Sequence, residues 1–248
     1  MSLSLITPPV YEPLTISDVC GQIRVDPEYL ADQTSVVEGF ISAIRGKAED
    51  VTRRALLPQQ WSMVLDKFPW GRKPLEIPKP PLISLDSITY LDTTDTLQTL
   101  DPSAYRVIPD MGNEPARVIP IIYTYWPETA QDIATVTINF TCGYTPAYSY
   151  FDPTVAYVAG AYVVYLGALY ICIEATTAGT VPTTVLNWQV VSTPIAPAIP
   201  AAIRQWMLLN VANLYETRET LRIDLRAASV DVETMADSLL ASYRIYGW

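Results

Sequence analysis

Val37-Glu-Gly-Phe-Ile-Ser-Ala-Ile-Arg-Gly-Lys-Ala-Glu-Asp-Val-Thr-Arg-Arg-Ala55, then Leu-Leu-Pro58, then Gln59-Gln-Trp-Ser-Met-Val-Leu65 is the stretch on which the fold turns. In its first part Val37, Ile41, Ile44, Ala48, Val51 and Ala55 recur at spacings of 4, 3, 4, 3 and 4, which makes one apolar stripe on a long helix ending before Pro58. The opposite face carries Arg45, Lys47, Glu49, Asp50, Arg53 and Arg54 and reads as a solvated or inter-subunit face. From Gln59 the period drops to two, so a helical part hands over to a sheet.

Toward the amino terminus, Thr15-Ile-Ser-Asp18 is a capping signal for a short helix reaching about Arg24, and Asp26-Pro27 repeats a start signal. Toward the carboxyl terminus, Trp61–Leu65, Leu75–Ile77, Ser87–Leu91, Tyr105–Ile108 and Ala134–Phe140 alternate as strands separated by proline, glycine and aspartate clusters. The prolines of Ile77-Pro-Lys-Pro-Pro-Leu82 belong at an edge or a bend. Pro200 opens another helix with Ile203, Met207, Val211, Leu214 and Tyr215 on one face, widened by Trp206 and Leu208. A last helix starts near Asp231 and turns Val232, Met235, Leu239 and Tyr243 inward.

Neither helical end has enough apolar face to stand alone, so the two must pack together around what lies between them. The expected fold is therefore α+β: a discontinuous helical core from both chain ends, an inserted antiparallel β domain and a further small all-β insertion. The boundaries fall at 1–58, 59–146, 147–196 and 197–248. The insertion leaves through the proline-rich segment Thr193-Pro-Ile-Ala-Pro-Ala-Ile-Pro200, a stiff linker. Between Arg117 and Arg204 there is no Lys or Arg, only Glu128, Asp132, Asp152 and Glu174. Pro153 to Ile173 has no charge and the length of a bilayer helix, but it carries Tyr157, Tyr162, Tyr165 and Tyr170 and breaks at Gly160 and Gly167, which reads as short strands and turns.

Composition narrows the chemistry. The 248 residues are 50% hydrophobic and only 17% charged, a surplus of apolar surface destined for a partner. Sixteen Lys and Arg stand against 26 Asp and Glu, a net charge of -10 that speaks against an outward nucleic-acid grip or an anionic-membrane anchor. With no histidine, Ser-His-Asp and Cys-His catalysis and histidine-liganded zinc are excluded. Cys20, Cys142 and Cys172 are far apart and offer neither a disulfide framework nor a metal site. The opening MSLSLITPPVYEP lacks the pattern of a signal peptide, so synthesis in a reducing cytosol is expected. No phosphate loop or nucleophile elbow is present, and Asp92 with Asp95 sits in a turn signal between strands. No enzyme and no cofactor is expected.

The order of the parts resembles a known family. The long helix closing on Arg53-Arg54-Ala-Leu-Leu-Pro-Gln-Gln-Trp61, then Leu65-Asp-Lys-Phe-Pro69, Leu75-Glu-Ile-Pro-Lys-Pro-Pro-Leu82, Ile88-Thr-Tyr-Leu-Asp92, Leu100-Asp-Pro-Ser-Ala-Tyr105, Phe140-Thr-Cys-Gly-Tyr144 and Pro200-Ala-Ala-Ile-Arg204 resemble the head-tail connector, or adaptor, proteins of tailed bacteriophages. The resemblance covers about residues 14 to 145 and 198 to 246. It implies a virion protein at the head-tail junction, made in the host bacterial cytoplasm. It also implies a ring of identical copies, usually twelve, beneath the portal protein and above a downstream neck or tail-completion protein. Phage DNA would pass through its channel without sequence-specific binding. By the same resemblance Tyr243, Arg244, Ile245, Tyr246 and Trp248 are the portal-binding candidates.

The insertion has a second resemblance. Tyr157-Val-Ala-Gly160, Tyr162-Val-Val-Tyr165, Tyr170, Gly179-Thr-Val-Pro182 and Asn187-Trp188 resemble a small chitin-binding type of carbohydrate-binding module. Ala161 stands where such modules carry an acid, and Ile173-Glu-Ala175 where they carry a tryptophan. This resemblance implies Tyr157, Tyr162, Tyr165, Tyr170 and Trp188 as exposed rings for stacking a glycan, and it supplies the alternative reading of a carbohydrate-binding or adhesion protein.

Overall fold

The computed structural model describes residues 1–144, 149–166, 168–184, 186–191, 199–217 and 238–245. Two compact units are present, one formed by Met1–Tyr144 with Ile199–Trp248 and the other by Thr145–Ala198. The fold is α+β, with helices from both chain ends in one core and antiparallel sheets between them.

Helix α1 (Ile16–Ile23) begins on a complete capping box. Thr15 Oγ1 accepts from the Asp18 N–H at 3.1 Å, and Asp18 Oδ2 accepts from the Thr15 N–H at 2.9 Å. The same carboxylate meets Arg204 Nη2 at 2.6 Å on helix α3 (Ala201–Thr217), so one side chain both caps the first helix and ties it to the last long one. Burial by itself would raise the Asp18 pKa, but the Thr15 amide and the Arg204 guanidinium outweigh it and hold the carboxyl below its usual 3.8. Its stabilisation is therefore present above that value and lost as pH falls through the lower, folded one. Thr15→Ala should cost about 1 kcal/mol in urea unfolding at neutral pH. Asp18→Asn should also destabilise at neutral pH, and its deficit should shrink steadily in the same measurement below pH 3.8.

Helix α2 (Thr34–Thr52) follows a 3-10 segment at Pro27–Gln33 and buries Val37, Ile41, Ile44 and Ala48. These pack with Val19, Leu30, Ile203, Trp206, Met207, Val211 and Leu240 into one core, with α3 against both α1 and α2. The helix stops at Thr52, short of the Ala55 that the apolar spacing predicted, because Arg53 turns left-handed at φ 57. That turn places Ala55 in the sheet core while Leu56 and Leu57 remain in the helical one. The polar face read for this helix is also not a solvated surface throughout, since Glu49 on α2 and Arg54 just beyond its end are buried. Asp231, Val232 and Met235 of the expected last helix lie outside the described residues; residues 238–241 are helical.

Among the described residues the strands are β1 (Ser2–Thr7), β2 (Gln59–Leu65), β3 (Leu75–Ile77), β4 (Leu82–Leu91), β5 (Leu97–Thr99), β6 (Tyr105–Ile108), β7 (Ala116–Pro120), β8 (Val136–Cys142), β9 (Ser149–Tyr150), β10 (Tyr162–Tyr165), β11 (Ala168–Cys172) and β12 (Trp188–Val190). A five-stranded sheet in the order β1-β2-β8-β4-β5 and a three-stranded sheet β3-β7-β6 enclose the second core. In the central strand β8, Val136, Ile138, Phe140 and Cys142 alternate inward, with Trp61 opposite Phe140 and Met63 opposite Ile138 on β2. Burial pushes the Cys142 thiol pKa up, consistent with a packing role. The Pro80–Pro81 bond is cis, in the bend between β3 and β4.

The small unit is a sheet in the order β12-β11-β10-β9, with β9 parallel to β10. Its core is Tyr157, Val163, Cys172 and Trp188. The uncharged run from Pro153 is thus strands and turns, and no helix among the described residues is long and apolar enough to cross a membrane.

Candidate docking surface at the carboxyl-terminal segment

A helix leaves its last carbonyls without intrahelical partners, and when α2 ends at Thr52 those groups need donors from elsewhere. Here the carboxyl-terminal segment provides them. The Ile245 N–H donates to Thr52 O at 3.1 Å and Arg244 Nε donates to Val51 O at 3.1 Å. Next to this contact, Arg54 is only 4% exposed. Its Nε donates to Tyr243 O at 2.7 Å, and its Nη2 donates to Gly112 O at 2.5 Å and Asn113 Oδ1 at 2.9 Å. Asn113 Nδ2 closes the loop by donating to Ser242 O at 2.9 Å. One buried guanidinium therefore joins the end of α2, the turn between β6 and β7, and the carboxyl-terminal segment. Tyr144 lies at the same junction; burial raises its phenol pKa and the neighbouring Arg54 pulls it partly back.

Glu49, one turn before the end of α2, performs the matching task on the other side. Its Oε1 accepts from the Leu56 N–H at 2.9 Å and from Gln59 Nε2 at 2.8 Å, and its Oε2 meets Arg45 Nη1 at 3.4 Å. Burial pushes the Glu49 carboxyl pKa up, against the pull of the Leu56 amide, Arg45 and Gln59. The linker from helix to sheet is thus fixed by Glu49, which the sequence pattern assigned to a solvated or inter-subunit face.

Of the candidate portal-binding residues, Tyr243 is half-buried against the helical core, Ile245 is 1% exposed, and Arg244 is exposed. Tyr246 and Trp248 lie outside the described residues. All three are engaged with their own chain, Arg244 through the bond from its Nε to Val51 O, and of the three Arg244 alone is exposed.

The candidate glycan-stacking rings require a correction. Tyr157 is 7% exposed and Trp188 3%, and the two meet edge to face at 5.4 Å between centroids. Tyr157 Oη accepts from the Asp152 N–H at 2.7 Å, and Thr176 Oγ1 accepts from the Tyr157 N–H at 3.1 Å, so this tyrosine is a core post and not a platform. Tyr162, Tyr165 and Tyr170 are half-buried. Among the described residues the exposed large apolar side chains of this unit are aliphatic: Val155, Val158, Leu166, Ile173, Val181, Leu186 and Val190. A small unit has few residues with which to make a core, and here it uses its rings for that purpose.

Sequence reasoning missed a second surface. Loops 66–73, 92–96 and 121–132 at one end of the β domain enclose an open cleft of about 1200 Å³. Its floor is the stacked pair Phe68 and Trp126, 4.9 Å between centroids and 5° from parallel. Trp126 is held by its Nε1, which donates to Lys73 O at 2.9 Å, and by its N–H, which donates to Gly71 O at 3.4 Å. Among the described residues no group of three or more His, Cys, Asp or Glu side chains could hold a metal ion.

No family model matches the sequence, and no curated protein matches it. Solved structures do. The chain is similar to a chain in the neck of an empty GTA particle computed with C6 symmetry, with a TM-score of 0.63 and 17% identity over 100% of this chain and 97% of that one. It is equally similar to a chain in the virion of a native gene transfer agent (GTA) particle, at 0.63 and 17% with the same coverage. A chain in the neck of the native GTA particle computed with C12 symmetry gives 0.53 and 18%, again over 100% and 97%. At this identity the likeness is one of fold, and it extends over the whole chain.

Proposed function

We propose that this protein is a structural, non-catalytic component of the neck of a phage-like particle. In this reading identical copies, twelve in number, form a ring at the head-tail junction beneath the portal and extend the DNA channel toward the tail. The observation that carries it is the fold likeness, over the full length, to chains from particle necks. Those necks were computed with C6 and C12 symmetry, which motivates the count. The net charge of -10 suits a conduit, because DNA must slide past without the phosphate contacts that create salt-dependent retention. A protein rich in apolar residues also suits a ring subunit, which must bury surface against two neighbours.

Portal contact is assigned to Arg244 and the residues after Ile245, including Tyr246 and Trp248. The test is a truncation placed after Ile245, because the Ile245 amide caps α2 and its side chain is buried. Protein lacking residues 246–248 should keep its unfolding midpoint but bind portal rings about tenfold or more weakly, as the loss of an aromatic anchor requires. Negative-stain images of the intact protein with portal should contain rings. Undiminished portal binding by the truncated protein would remove the docking assignment, and absence of rings in the presence of portal would remove the neck reading.

A further inference from the structure

We propose that the cleft between loops 66–73, 92–96 and 121–132 is a docking site for an arginine-bearing segment of a partner protein. Two independent features of the cleft point to the same occupant. The first is aromatic. Trp70 stands 88% exposed on the rim, with Tyr125 exposed beside it, and Tyr123 just outside is 94% exposed with a left-handed φ of 69. Large rings left in water, one of them on strained backbone, gain nothing for the isolated fold and mark a contact surface.

The second feature is charge. Asp95, Glu128 and Asp132 line the cleft, all three exposed and none in an ion pair among the described residues, against Lys67 as the one cation of the lining. Rings and carboxylates together suit a guanidinium, which stacks flat on an aromatic face and offers a fork of donors to a carboxylate. They disfavour a nucleic acid, whose phosphates would face three negative groups. A second copy of this chain is a poor source of the cation, with 16 Lys and Arg against 26 Asp and Glu. The floor is already fixed by the Phe68 and Trp126 stack and the two Trp126 hydrogen bonds, so little ordering cost opposes binding.

The test titrates the full chain with the synthetic peptide GRLRGRLRG, with its GELEGELEG counterpart as control, following tryptophan fluorescence at low salt. Two variants read the two features separately: Trp70→Ala, and the triple Asp95→Asn, Glu128→Gln, Asp132→Asn. All four positions are exposed, so the fold should tolerate both. The arginine peptide should bind and the acidic one should not. Each variant should weaken binding about tenfold, and added salt should weaken it further. Absence of binding at about 1 mM peptide, an affinity in the range of the weakest specific contacts, would overturn the proposal. So would binding that both variants leave unchanged. Sedimentation of the variants without peptide tests the other occupant: loss of self-association would make the cleft a seat for a second copy and overturn the partner assignment. The peptide measurement needs no ring. A protein that binds the peptide but never assembles would refute only the neck reading, and a ring-forming protein that ignores the peptide would refute only this one.

Discussion

Gly143→Ala should leave little or no stable protein. Gly143 has φ +127, and a Cβ at that position would lie 2.1 Å from Leu57 O, 2.3 Å from Leu57 C and 2.7 Å from Pro58 N. These are backbone atoms, and no side-chain rotation can relieve the overlap. Nor can Gly143 move away easily, because its N–H donates to Pro81 O at 2.8 Å. The position is where three segments cross: the end of β8, the approach to β2 and the bend before β4. It also separates Cys142 in the sheet core from Leu57 in the helical core, so any displacement opens both. Strain of this kind with backbone contacts places the cost at about 4 kcal/mol or more, a large part of the typical 5–15 kcal/mol stability of a domain. Urea unfolding and soluble yield measure it, and a variant with the unaltered midpoint would show that the crossing is looser than the geometry states.

That glycine also illustrates what the sequence makes visible and what it hides. Phe140-Thr-Cys-Gly-Tyr144 stands out as a motif, but nothing local says that the glycine is required by a backbone 86 positions earlier, at Leu57. The change from helical to strand period at Gln59 is legible because burial on one face imposes it directly. The end of α2 is not, since an apolar Ala55 continues the helical spacing although it belongs to another core. Glu49 and Arg54 read as part of a solvated or inter-subunit face because charge usually is; several of their partners are backbone groups, the Leu56 amide and the Gly112 and Tyr243 carbonyls, which carry no residue signature, and the side-chain partner Asn113 is far away in sequence. Strand β1 escaped notice because all but Leu3 of its residues are exposed, leaving no buried face to write an alternation. Strand β7 does alternate, with Ala116, Val118 and Pro120 inward, but a small residue and a proline give it a weak pattern. The tyrosines of the small unit show the reverse limit: their spacing predicts strands correctly and says nothing about which rings face in. The cleft was invisible for a simpler reason, in that its three loops are far apart in sequence and only the sheet order brings them together.

Arg54→Ala is the second change expected to act strongly, and it separates local from global effects. The substitution removes three donated hydrogen bonds and leaves Tyr243 O, Gly112 O and Asn113 Oδ1 without them. Bonds from a charged donor contribute about 1.5–3 kcal/mol each, but they are not additive, and removing the guanidinium also ends the cost of holding a charge away from water. A net loss of about 3 kcal/mol in urea unfolding follows. Arg54→Lys keeps the charge but presents a point donor where a fork reaches three acceptors on two segments, so it should recover less than half of the loss. The discriminating readout is amide exchange at Ile245, whose N–H is bonded to Thr52 O across the same junction. If Arg54 holds the carboxyl-terminal segment in place, that amide should exchange faster in both variants under native conditions, while amides in β8 slow and accelerate only with global stability. Equal acceleration at Ile245 and in β8 would mean that Arg54 stabilises the fold without positioning the segment. Unaltered exchange at Ile245 would mean that Ile245 and Tyr243 hold the segment by packing alone, and in that case portal binding should survive the loss of Arg54.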